Sequence, residues 1–126
     1  MELKTEGIVL KRFTEGKNDL TEIFTKEKGK VTVISKGTKK VNSKLRITLE
    51  SFSLNYYYII RKNNKKKFFS LIQSKPLMLF ENIKTSLKKL ATAYFILELL
   101  DRFLQYEDRH PEIFEETKDF FLFLNK

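Results

Sequence analysis

The 126-residue chain has room for one ordinary domain, or one small domain with an appendage. Hydrophobic residues make up 41%, which excludes wholesale disorder, and the lack of cysteine excludes disulfides, thiolate zinc sites and thiol nucleophiles within it. A formal net charge of +9 predicts an anionic partner, whether nucleic acid, an acidic protein or an anionic membrane; no apolar run approaches the roughly 20 residues of a membrane span, so a soluble, cytosolic protein is expected, and no membrane is among its expected partners.

Residues 3–13 (LKTEGIVLKRF) read as a strand, with Ile8 and Leu10 on one side and Gly7, Val9 and Phe13 on the other. A polar turn holds Gly16, and 19–26 (DLTEIFTK) resumes β-branched, apolar character. EKGK with Gly29 is a hairpin signal. Residues 30–36 (KVTVISK) then alternate as a third strand. The segment 35–46 (SKGTKKVNSKLR) carries Lys36, Lys39, Lys40, Lys44 and Arg46 and no acid.

Residues 47–60 (ITLESFSLNYYYII) form the longest strand candidate. Phe52, Leu54, Tyr56, Tyr58 and Ile60 share its apolar face, which is the expected core face. Tyr57 shares the polar face with Ser51, Ser53 and Asn55. The turn RKNNKKK leads to a fifth strand at 67–74, ended by Pro76. After Pro76 the period changes. Residues 81–105 read as one long helix with Asn82 as N-cap, and 111–124 as a second helix opened by Pro111. The run Phe120–Leu124 would expose a large apolar surface unless something covered it.

The expected fold class is α+β: a five-stranded OB-fold β-barrel at 1–78, then a helical segment of about two helices at 79–126. Charge divides at the same place. Residues 1–80 hold 18 Lys/Arg against 7 Asp/Glu, and residues 81–126 hold 7 against 9. The basic character belongs to the barrel.

A series of pieces in order carries a family resemblance: EGIVLKR (6–12), Asp19, FTKEKGK (24–30), SKGTKKVNSKL (35–45), LESFS (49–53) and ATAYFILELLDRFL (91–104). Their order and spacing resemble the RecO family of bacterial recombination mediators. The resemblance implies an oligonucleotide-binding barrel followed by a helical domain. It implies binding of single- and double-stranded DNA, strand annealing, and work with RecR, with single-strand-binding protein and the recombinase RecA as further partners. It implies a cytoplasmic protein that joins the nucleoid during repair. Lys11 and Arg12 match basic positions of the family, and Lys36, Lys39, Lys40, Lys44 and Arg46 match its basic loop. Family members are typically about twice this length, and many carry a four-cysteine zinc site in the helical part. Those departures predict a shortened form here.

The basic loop is the first expected phosphate contact, because lysines and arginines release counterions from a nucleic-acid backbone. A second expected cluster is Arg61, Lys62, Lys65 and Lys66, with Lys67, at a hairpin tip. Exposed aromatics can stack bases; Tyr57 is the leading candidate, with Phe13 and one of Phe68 and Phe69 behind it. Catalysis is not expected. His110 is the only histidine, and no metal-ligand spacing, activated nucleophile or glycine-rich phosphate loop appears, so neither enzyme chemistry nor a cofactor is expected. Two rivals remain: an RNA-binding barrel, and an interaction protein whose basic face meets an acidic partner.

Overall fold

The computed structural model describes residues 1–36, 43–63 and 66–126. Strands β1 (Glu2–Glu15), β2 (Asn18–Thr25) and β3 (Gly29–Lys36) form an antiparallel meander. Its turns place Gly16 and Gly29 at φ 64° and 73°, the left-handed region that glycine enters without steric cost. A five-residue helix α1 (Ser43–Ile47) follows, then β4 (Leu54–Ile60) and β5 (Phe68–Met78). β4 pairs antiparallel with β1 and β5, and β5 pairs in parallel with β3. The sheet closes into a barrel in the order β1-β2-β3-β5-β4. That order, with a helix between β3 and β4, is the oligonucleotide/oligosaccharide-binding barrel expected from the sequence.

Three helices follow: α2 (Glu81–Lys84), α3 (Leu87–Phe103) and α4 (Pro111–Leu124). The core has two parts. Ile23, Val31, Val33, Leu49, Tyr57, Ile59 and Phe69 fill the barrel. Ile8, Leu10, Phe24, Phe52 and Leu54 join Phe80, Leu97, Phe114 and Phe121 between barrel and helices. Gly7 to Leu10 of β1 are therefore all buried, because one face lines the barrel and the other meets the helices. Phe24 and Phe114 pack edge to face with centroids 5.4 Å apart, which docks α4 on β2.

Four sequence expectations are corrected. Residues 47–53 are not strand: Ile47 ends α1, and Phe52 takes φ 62° in the turn before β4. Pro76 does not end β5, which runs to Met78. Among the described residues of β5 only Phe68–Ser70 pair with β3, so no ladder partner on that side needs the missing N–H. The helix over 81–105 is broken at Thr85–Ser86. Ser86 caps α3 by accepting from Lys89 N, whereas the Asn82 side chain donates to Asn125 O. Finally, Tyr56 is exposed and Tyr58 half-exposed, so they do not belong to the core. The run at 120–124 is partly covered: Phe121 is buried, while Phe120 and Phe123 stay open to solvent.

The α3–α4 connection lies directly on the β2–β3 hairpin. Glu107 N donates to Lys30 O (2.8 Å), and Tyr106 bridges to Lys30. A Cβ on Gly29 would sit 2.1 Å from Asp108 O, so this contact requires glycine on both steric and conformational grounds.

Candidate nucleic-acid interface

Strand pairing aligns the outward side chains of the barrel into rows. Lys11 of β1 faces Glu22 of β2, Glu22 faces Thr32 of β3, and Thr32 faces Phe68 of β5. The neighbouring row begins with Phe13 opposite Leu20. Across these strands lies an open hollow of about 350 Å³, lined among others by Phe13, Leu20, Glu22, Lys67, Phe68 and Tyr106. In barrels of this kind, nucleic acid binds on this face, between the β1–β2 and β4–β5 loops. Here those loops carry Lys17 and residues 61–67.

The predicted cations divide by whether a carboxylate already holds them. Lys62, Lys66 and Lys67 are exposed and make no ion pair among the described residues, and the same holds for Lys17. Arg46 is exposed on α1. β3 ends at Lys36, and Lys44 lies in α1. Lys39, Lys40 and Lys65 lie outside the described residues.

Lys11 and Arg12 are engaged. Lys11 Nζ lies 3.0 Å from Asp101 Oδ2 on α3, and Arg12 lies 3.4 Å from Asp19 Oδ2. The hydrogen bond to Asp101 is the main reason that the Lys11 ammonium is held above its ordinary pKa. Both residues line a second hollow, of about 270 Å³, against α3.

The structure removes two residues from the expected site. Arg61 is only 6% exposed. Its guanidinium grips Glu107 with two bonds, of 2.7 and 2.8 Å, and lies over the Phe69 ring at 4.5 Å. It ties the α3–α4 connection to the barrel and is not presented to a phosphate. Glu107 raises the Arg61 pKa, and Arg61 in turn lowers that of Glu107. Tyr57, the leading stacking candidate, is fully buried inside the barrel. Gly7 makes room for it: a Cβ there would meet Tyr57 Cε2 at 2.9 Å. The Tyr57 hydroxyl donates to Thr48 O and accepts from Asn55 Nδ2, which also donates to Ser53 Oγ. Burial pushes the hydroxyl far above its ordinary pKa, so it remains a donor. The polar face of β4 points inward with Tyr57 Oη, Asn55 Nδ2 and Ser53 Oγ hydrogen-bonded there, while Asn55 Oδ1 finds no partner among the described residues.

Sequence reasoning missed Tyr106. Its hydroxyl donates to Glu22 Oε1, and Lys30 Nζ sits over its ring at 4.4 Å. Desolvation first, then Glu22, push that hydroxyl up to about 12. The signal was weak, a lone tyrosine in an acidic connection.

Comparison with known proteins agrees with this architecture. Residues 1–80 match the family described as "Recombination protein O N terminal", and residues 84–126 match "Recombination protein O C terminal". Similar proteins include the DNA repair protein RecO of Shouchella clausii, 34% identical over 112 residues, which are 88% of this chain and 42% of that protein. The DNA repair protein RecO of Caldanaerobacter subterraneus is 31% identical over 117 residues, 92% of this chain and 46% of that one. That of Alkaliphilus metalliredigens is 31% identical over 102 residues, 80% and 40% respectively. The chain thus spans less than half the length of these relatives.

Proposed function

Given that the chain belongs to the RecO family, we propose that it serves DNA repair as a DNA-binding module, gripping backbone phosphates along the barrel's outer face. One observation carries the reading: Lys67 lines the open hollow and Lys17, Lys62 and Lys66 sit in the β1–β2 and β4–β5 loops, all with their charges unspent among the described residues, while Lys11, Arg12, Lys30 and Arg61 are already held by carboxylates. The basic segment from Lys36 to Arg46, which joins β3 to α1 in sequence, is proposed as a further source of phosphate contacts.

Binding of this kind is electrostatic and tolerant of sequence, and it accommodates single and double strands. One cationic surface screens two repelling strands, which favours annealing. The module works by binding and without covalent chemistry. RecR, single-strand-binding protein and the recombinase RecA are its proposed partners in the cytoplasm.

The test is fluorescence anisotropy with a labelled single strand across a salt series. Each phosphate contacted adds about −0.7 to the slope of log affinity against log salt. The intact chain is expected to give a slope of about −2 to −4. Changing Lys62, Lys66 and Lys67 together to glutamine should make the slope shallower by about 2 units without altering circular dichroism. An unchanged slope in that triple variant would remove the β4–β5 loop from the site. No binding at low salt would turn the basic face over to an acidic protein partner.

A further inference from the structure

We propose that the hollow over β1, β2, β3 and β5 receives unpaired nucleobases and not phosphates, and that Tyr106, supplied by the connection between α3 and α4, is one of its stacking residues. The proposal rests on the nucleic-acid reading above and adds what enters the site. Three rings line the hollow with open surface: Phe13 is 38% exposed, Phe68 37% and Tyr106 57%. Bases stack on such rings whatever their sequence, since every base has a π face.

Tyr106 is held ready for this. Lys30 lies over one face of its ring, Glu22 fixes its hydroxyl, and the bond from Glu107 N to Lys30 O anchors its backbone. An immobilised ring loses little further freedom when a base stacks on its other face.

Charge decides which part of a strand enters. Among the described residues, Glu15, Glu22 and Glu107 line the hollow against one cation, Lys67. A phosphate placed there would meet the carboxylates of Glu15 and Glu22, while the charge of Glu107 is already matched by Arg61 and Lys28. A base is neutral and brings N–H groups that a carboxylate can accept. Glu22 Oε2 is buried without a hydrogen-bond partner among the described residues, which keeps an unused acceptor beside the Tyr106 hydroxyl. The unpaired lysines lie outside this lining except Lys67. The backbone therefore runs along the rim with its bases turned inward, and the hollow favours single strands over duplex, whose bases are already stacked and paired.

The experiment compares a labelled single-stranded oligodeoxynucleotide with an abasic deoxyribose-phosphate oligomer of equal length, over the same salt series. The wild-type chain should bind the base-bearing strand about tenfold or more tightly, with matching salt slopes. Tyr106→Ala should erase about 5- to 150-fold of that preference and leave the abasic affinity unchanged. Tyr106→Phe, which keeps the ring and loses only the hydroxyl, should retain it. Phe68→Ala repeats the test from the barrel side, at a ring outside both hydrophobic clusters, in case Tyr106→Ala disturbs the fold. Equal wild-type affinity for the two oligomers would overturn the base site while leaving phosphate binding intact. So would a Tyr106→Ala variant that weakens both equally. If neither oligomer binds at low salt, the nucleic-acid reading fails and the base site with it.

Discussion

Phe114→Ala should cost about 3–5 kcal/mol of unfolding free energy, the range for deleting a buried phenylalanine side chain. Phe114 is fully buried, and its edge-to-face contact with Phe24 is where α4 meets the barrel. A small domain has about 5–15 kcal/mol in total, so the variant should be marginal. Urea titration is the measurement: the midpoint should fall while the denaturant slope stays constant. Phe123→Ala is the control, since that ring on the same helix is 66% exposed and its loss should change stability by about 0.5 kcal/mol or less. Equal, small effects of the two substitutions would mean that α4 is not docked on β2.

Glu107→Gln is the second large effect. It leaves the buried Arg61 guanidinium without a counter-charge, and breaking a buried pair in this way costs about 3–5 kcal/mol. The Glu107 side chain is 33% exposed, so screening reduces the expected loss to about 2 kcal/mol at neutral pH. The pH dependence follows from the direction of the shift. Arg61, with Lys28 helping, lowers the Glu107 pKa in the folded state below its ordinary value of 4.5. The pair's contribution is therefore fully present above that ordinary value, and it is lost as pH falls through the folded one. The stability gap between wild type and Glu107→Gln should be wide at neutral pH and close as the solution is acidified. Other carboxylates titrate in both proteins and cancel in the difference. A gap that stayed constant down to about pH 3 would show that charge does not hold the connection to the barrel.

How far the sequence revealed the fold depended on where each signal came from. β1, β2 and β3 were legible because local alternation and the turn glycines Gly16 and Gly29 mark them. α4 was legible from Pro111 and its apolar period. The inward face of β4 was not. Its apolar side chains Tyr56 and Tyr58 advertise a core face, yet the barrel interior takes Asn55, Tyr57 and Ile59. That choice depends on hydrogen bonds to Thr48 and Ser53, and on the space left by Gly7 on a strand fifty residues earlier. Such long-range satisfaction has no local signature. The site divided in the same way. The clusters of lysine could be read directly, but the carboxylates that occupy Lys11 and Arg61 come from Asp101 and Glu107 in the helical segment, beyond the reach of any spacing argument. Tyr106 was missed for that reason too.

The seam that closes the barrel has a consequence for biosynthesis. β1 and β4 join Glu2 to Ile60 and Ile8 to Leu54, whereas β1, β2 and β3 are linked by tight turns. The meander can form as soon as it leaves the ribosome, because its contacts are local. The edge of β1 must wait for β4 and then for a three-residue parallel pairing of β5 with β3. During the synthesis of those later strands, a matter of seconds at about 5–20 residues per second, the unpaired edge from Glu2 to Ile8 is open to strands of other chains. For this topology the period of greatest exposure to aggregation is the interval before the cylinder closes, and chaperone demand should track the translation of residues 37–78.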